Sequence, residues 1–283
     1  MAPRLDVRKT YKLYINGEFP RSESGRSYPA LDAGGNVLAR VARGSRKDLR
    51  EAVRAARTAA GQWASKSGYN RGQILYRIAE MMEDRASVFA QQLGEGGLAP
   101  ARARSEVSAA IDRMVWYAGW ADKFAQIYGN LNPVAGPFFN ISSPEPTGVV
   151  GIIAPDTPAL LGLVSRVAPV IVSGNTAVLI ASASQPLPAI TFSEVLESSD
   201  VPPGVVNILT GYAAELAPWL ADHMDVNAVD FAGAEPDVAL RIQQGAVHNV
   251  KRLVGSDGYA DTQSPYLIAA FTETKTVWHP KGL

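Results

Sequence analysis

Residues 148–180 read GVVGIIAPDTPALLGLVSRVAPVIVSGNTAVLI, and the fold turns on this stretch. Its opening run, 148–154, and its closing run, continued to 176–181, are short, apolar and rich in β-branched residues. Runs of that length bounded by proline, glycine and asparagine signal buried strands. Between them, residues 160–172 carry a helical pattern. Two further apolar runs follow at 205–209 and 228–231, separated by helical patterns at 189–198 and 213–223. This alternation predicts an α/β fold: a Rossmann-like parallel sheet with flanking helices on both faces.

Upstream, YKLYINGEF (11–19) places Leu13 and Ile15 before the turn dipeptide Asn16-Gly17, the signature of an exposed opening hairpin. Ser45 followed by Asp48 is a capping candidate, and Leu49, Val53, Ala56, Ala60 and Trp63 recur at helical spacing behind it. A second helical pattern starts at Asn70 and runs through Ile78 and Met82 to Phe89; a third spans 111–124. The aromatics of the third, Trp116, Tyr117 and Trp120, read as packing between helices rather than as a ligand surface. Residues 128–146 hold four prolines, so the reading there is an extended arm, neither central strand nor helix interior.

The chain has 283 residues, 47% of them hydrophobic, enough to bury a large core without staples. Twenty-seven basic residues balance 27 acidic ones, so no overall field recommends nucleic acid or an anionic membrane as a partner. There is no cysteine, which removes thiolate nucleophiles, disulfides and thiolate metal sites together. His223, His248 and His279 lack the close spacing of a local metal motif, and no metal is expected. No apolar run approaches the roughly 18 to 20 residues of a membrane span, and the first residues have no signal-like apolar core, so the expected compartment is the cytoplasm.

Taken together, GVVGIIAPDTP, APVIVSGNTAVLI, VPPGVVNILTG and NAVDFAGAE, in that order, resemble the cofactor-binding domain of the aldehyde dehydrogenase superfamily. LYINGEF, SRKDLREAVRAAR, WASKSGYNRGQILYRIAEMMEDR and IDRMVWYAGWADKF resemble family segments in the expected order. After Leu253 the likeness stops, and it resumes at AFTETKTVWHP (270–280), which is similar to the family's C-terminal oligomerisation strand. The resemblance therefore implies a form without the catalytic domain, similar to the degenerate second segment of double-length members. Its implied organisation is an N-terminal hairpin and helical part (1–127), an oligomerisation arm and strand (128–147 and 266–283, a small antiparallel sheet), and a degenerate dinucleotide-binding core (148–258).

The same resemblance locates altered site positions. Thr157 stands where the family has an oxyanion-stabilising asparagine, and Ser256 where it has the general-base glutamate, with Asp257 beside it. Ile180 and Ala183 replace the lysine and glutamate that bond the adenosine ribose, while Ser182 between them is kept. In the phosphate-cradling turn Gly233 survives, Ala234 replaces serine, and Val238 replaces a second glycine; Glu235 and Asp237 add negative charge there. Gly211, closing VPPGVVNILTG, completes the degenerate cofactor set of Thr157, Ser182, Gly211, Gly233 and Ala234. Gly174 and Asn175 read as structural. The expectations are no catalysis by this chain alone, no cofactor or NAD(P) held weakly at best, and a role in oligomers of itself or with a full-length aldehyde dehydrogenase. The rival expectation is a cofactor half-site serving a catalytic domain supplied in trans.

Overall fold

The computed structural model describes residues 9–255 and 263–282. A small sheet of β1 (Thr10–Tyr11), β2 (Ser27–Leu31) and β3 (Val37–Ala42) opens the chain. Five helices follow: α1 (Arg46–Ser65), α2 (Gly68–Asp84), α3 (Ala86–Glu95), α4 (Pro100–Trp120) and α5 (Phe124–Tyr128). Ser45 starts α1 through the anticipated capping box, its side chain accepting the Asp48 amide while the Asp48 carboxylate accepts the Ser45 amide at 2.8 Å. The single helical pattern read from Asn70 to Phe89 is two helices. Arg85 leaves helical geometry (φ −101°, ψ 12°) between α2 and α3, and the bend lets both Met82 and Phe89 reach the core.

The opening hairpin turns at Asn16 and Gly17, both with positive φ. It is not exposed: Leu13, Tyr14 and Ile15 are buried. Tyr14 exchanges two backbone hydrogen bonds with Ile208, of 2.9 and 2.7 Å, so the hairpin closes an edge of the main sheet that would otherwise lie open.

After β4 (Asn130–Asn132) and β5 (Phe138–Pro146) come β6 (Val149–Ile153), α6 (Ala159–Val172), β7 (Thr176–Ile180), α7 (Leu187–Glu197), β8 (Val206–Leu209), α8 (Ala213–Asp222), β9 (Ala228–Asp230), α9 (Pro236–Ala246) and β10 (Arg252–Val254). The strands form a five-stranded parallel sheet in the order β10-β9-β6-β7-β8. One face packs Val150, Ile152, Ala177, Leu179 and Val206 against α6, α7 and the helices α2 to α4. The other packs Val149, Ile153, Val178 and Ile180 against α1 and α8. Burial on both faces explains why these strands are continuously apolar.

A second sheet has the order β11-β5-β4, where β11 (Thr272–Pro280) follows the short α10 (Pro265–Ala269). The arm reading needs correcting here, because β5 is a central strand despite Pro144 and Pro146. The reason is local. Pairing with β4 covers Asn140 to Ser142, and both prolines lie beyond it, where β5 has a neighbour on one side only and a missing N–H interrupts no ladder. Along β11 every residue from Thr272 to Pro280 has a partner in β5. Its other edge has no strand beside it among the described residues. Asn175 ties this sheet to the main one: fully buried, it accepts the Gly148 amide at 2.7 Å and donates to the Phe271 carbonyl at 2.7 Å. No described helix is long and apolar enough to cross a membrane.

Candidate functional site: the crevice at the strand ends

The winding of the sheet reverses between β6 and β9. At such a point the loops leaving the strand ends diverge and open a crevice, the usual ligand site of doubly wound folds. Here the loop after β6 carries Pro155, Asp156 and Thr157, and the turn after β9 carries Phe231 to Glu235. A Cβ on Gly233 would lie 2.4 to 2.5 Å from Pro155 N, Ala154 C and Ile153 O, all backbone, so the two loops touch and only glycine fits. The Ala234 amide donates to the Phe231 carbonyl at 2.9 Å, closing the turn. Ala234 and Val238 pack partly buried against the α1–α8 face.

Below this turn, Asp230 ends β9 fully buried and faces Arg166 of α6 at 3.3 Å, itself buried. The second carboxylate oxygen accepts the Ala232 amide at 3.1 Å and so shapes the turn. Burial pushes the Asp230 carboxyl up to about 6, against the opposing pull of Arg166 and that amide. The pair anchors α6 beneath the crevice floor.

The other end of the crevice lies over β7. Ile180 is fully buried within the α1–α8 core and reaches nothing polar. Ala183 is half-buried. Ser182, however, donates its hydroxyl to the exposed Asp156 carboxylate, accepts the Gln185 amide at 2.9 Å, and lies 3.2 Å from the Ser184 hydroxyl. Tyr28 of β2 is 5% exposed, and its hydroxyl is sealed from solvent, the Gly211 amide facing its oxygen while no described residue accepts its proton. Burial raises that hydroxyl's pKa most; the neighbouring Tyr212 and Asp156 raise it further, and the Gly211 amide opposes them. The Tyr28 and Tyr212 rings lie 5.2 Å apart, and Arg43 sits over the Tyr212 ring. Beside them opens a cavity of about 420 Å³, lined in part by Tyr28, Ala183, Ser184, Gln185 and Tyr212. The Gln185 Oε1 atom is likewise buried without a partner.

The site residues anticipated from sequence thus fall into two groups. Ser182 and Gly211 border the corner under β7 and β8, with Asp156 and Tyr28; Gly233 and Ala234 form the turn after β9; exposed Thr157 lies in the β6 loop between them. At Gly211 φ is +148° and a Cβ would meet the Gly44 amide at 3.3 Å, so this residue seats the start of α1. Ser256 and Asp257 lie outside the described residues. Sequence reasoning missed Asp156, Tyr28 and the Arg166–Asp230 pair. An acid one residue before Thr157, in a loop leaving a parallel strand, was the available signal for the first. Among the described residues no group of three histidine or acidic side chains could hold a metal ion.

Sheet order, the glycine turn and the crevice define a nucleotide-binding type of α/β lobe. The aldehyde dehydrogenase family pattern matches residues 21–262, and the chain belongs to that family. Retinal dehydrogenase 2 of Mus musculus is 34% identical over 258 residues, which are 89% of this chain and 49% of the relative. An aldehyde dehydrogenase from Bacillus cereus, solved as its NAD+ complex, superposes with a TM-score of 0.82 at 27% identity, covering 87% of this chain and 50% of that one. PnpE in complex with nicotinamide adenine dinucleotide superposes at 0.83 with 29% identity and the same coverage; PnpE comes from Pseudomonas sp. WBC-3. The chain spans about half the length of these relatives.

These NAD complexes overturn the expectation of no cofactor, or of NAD(P) weak at best. That expectation counted side chains lost at Ile180, Ala183 and Val238. Much of the crevice is instead backbone, the end of β6 against the turn at Gly233, and this structure keeps both. The corner over β7 also carries polar groups a ligand could bond: the exposed Asp156 carboxylate, tethered by Ser182, and the buried Tyr28 hydroxyl, whose proton no described residue accepts.

Proposed function

We propose that this chain is an aldehyde dehydrogenase-family subunit that does not oxidise aldehydes by itself and acts by assembling with a full-length aldehyde dehydrogenase. The observation that carries the reading is β11. Among the described residues this nine-residue strand is paired on one side only, and its sheet exposes Phe138, Phe139, Ile141, Val277 and Trp278. An open edge flanked by apolar side chains is a template for another chain. The absence of any cysteine supports the non-catalytic half of the proposal, since the family's acyl-transfer chemistry begins with a thiolate. Thr157 offers one short hydroxyl where an amide would steady an oxyanion, which supports it further.

In such an assembly the crevice is the part of the subunit suited to NAD, with Asp156, Ser182 and Gly233 as the residues that would hold it. NAD supplies the hydride acceptor of the family's oxidation when bound. Arg166 and Asp230 fix the floor beneath it, and Tyr28 lines the cavity beside Ser184 and Tyr212.

Co-expression with a full-length aldehyde dehydrogenase, followed by native mass spectrometry, tests the proposal. A mixed oligomer of fixed stoichiometry is expected, together with no aldehyde oxidation above a no-protein blank for this chain alone. Separate, unmixed species in every preparation, or turnover by the isolated chain, would refute it.

A further inference from the structure

The lobe has lost two ribose-binding positions at Ile180 and Ala183, yet the same corner contains another polar set. Asp156 leaves the C-terminal end of β6, which is hydrogen-bonded to β7 with Ile153 opposite Ile180. Its carboxylate is exposed, and Ser182 Oγ bonds to Oδ1 while no described residue bonds to Oδ2. Ser182 is itself fixed by the Gln185 amide and sits beside Ser184, so the carboxylate is held by a short chain of bonds rather than free in solvent. Within electrostatic reach of Asp156 is the Tyr28 hydroxyl, on a residue that is 5% exposed; the Gly211 amide faces its oxygen, and no described residue accepts its proton. A buried donor left unbonded beside an oriented exposed acceptor is costly for a loop that has only to turn. It is the pattern of a site whose remaining partner is a ligand.

An oriented carboxylate with a free oxygen accepts the hydroxyl protons of a vicinal diol, and these charge-assisted bonds are the strong kind. It has nothing to offer a phosphate at the same place. A phosphate monoester brings acceptors and about −1.5 to −2 charges to a fixed negative group. We propose that Asp156 recognises the 2′,3′-diol of the adenosine ribose of a dinucleotide, with Ser182 as its positioning residue, and thereby commits this lobe to NAD over NADP. The inference rests on the nucleotide-holding part of the proposed function. It replaces the pair at 180 and 183 with a residue of the loop that follows the neighbouring strand.

The test is a set of calorimetric titrations of the full chain with NAD and with NADP, for the natural protein, Asp156→Asn and Ser182→Ala. The natural protein should prefer NAD by about tenfold or more. Asp156→Asn, which keeps the shape and removes the charge, should weaken NAD about tenfold and bring the two dinucleotides within about threefold of each other. Ser182→Ala should narrow the NAD/NADP ratio as well, a change that loss of packing alone would not produce. Thermal unfolding of each variant controls for folding, and Asp156 is a surface side chain whose exchange leaves the core intact. Natural protein that binds neither dinucleotide refutes the nucleotide reading and this assignment together. Natural protein that binds NAD and NADP equally, or Asp156→Asn that binds NAD as tightly as before, leaves the nucleotide reading standing and overturns the assignment.

Discussion

The buried pair under the crevice makes the sharpest energetic prediction. Arg166 and Asp230 are both nearly or fully inaccessible and lie 3.3 Å apart. Replacing Asp230 by Asn at pH 7 keeps an acceptor for the Ala232 amide but leaves the guanidinium buried without a counter-charge, which costs about 3 to 5 kcal/mol. Adding Arg166→Met to that variant removes the stranded charge and should recover most of the loss, because well-packed neutral replacements of buried pairs are often neutral or stabilising. The pH dependence follows from the raised Asp230 pKa of about 6. Between the unfolded value of about 3.9 and the folded one, the native state binds the proton more tightly, so stability is greatest below the unfolded pKa and declines as pH rises through about 6. Between pH 5 and pH 7 the natural protein should lose on the order of 1 kcal/mol relative to the double variant. Urea unfolding followed by tryptophan fluorescence at the two pH values measures both effects. A single-variant cost under about 1 kcal/mol, or a double variant no more stable than the single, would refute the account of this pair.

Two further substitutions probe the frame around the crevice. Gly233→Ala would press a methyl group into three backbone atoms of the β6 end; a loss of about 2 kcal/mol is expected, with weaker NAD titration, and unchanged stability would show that the two loops are not in contact. Asp48→Ala removes the α1 capping box together with the bonds from the Ser22 hydroxyl (2.7 Å) and the Glu23 amide (3.1 Å). A loss of about 2 to 3 kcal/mol is expected, since the cap alone is worth about 1; a change in urea midpoint equivalent to less than about 0.5 kcal/mol would contradict it.

The core sheet was legible because burial on both faces writes itself as unbroken β-branched runs: β6, β7, β8 and β9 fall within one or two residues of the apolar stretches that announce them. Where legibility failed, a neighbour distant in sequence decided the outcome. The hairpin around Asn16 has the right turn, yet only Ile208, far along the chain, makes it buried rather than exposed. The prolines of β5 exclude a central strand only if both flanking strands run its full length, and β4 does not. The first half of α4 escaped notice because its inward positions, Ala103, Val107 and Ala110, are mostly too small to write an apolar stripe.

The site was harder to read than the fold because reading it position by position records what a residue has lost and not what a neighbour has taken up. Ile180 and Ala183 read in the sequence as replaced positions, and Asp156, in the loop after the adjacent strand but 24 residues from Ile180 in sequence, gave no signal of a polar group beside them. Its setting depends on the Ser182 hydroxyl that holds it and on the Tyr28 hydroxyl within its electrostatic reach, which arrives from β2, more than a hundred residues earlier. Strand adjacency of β6 and β7 is what joins them, because the Ile153–Ile180 register sets the loop after one strand beside the loop after the other. A substitution on a parallel strand can therefore be offset from the loop of the adjacent strand, and the register of the sheet says where to look.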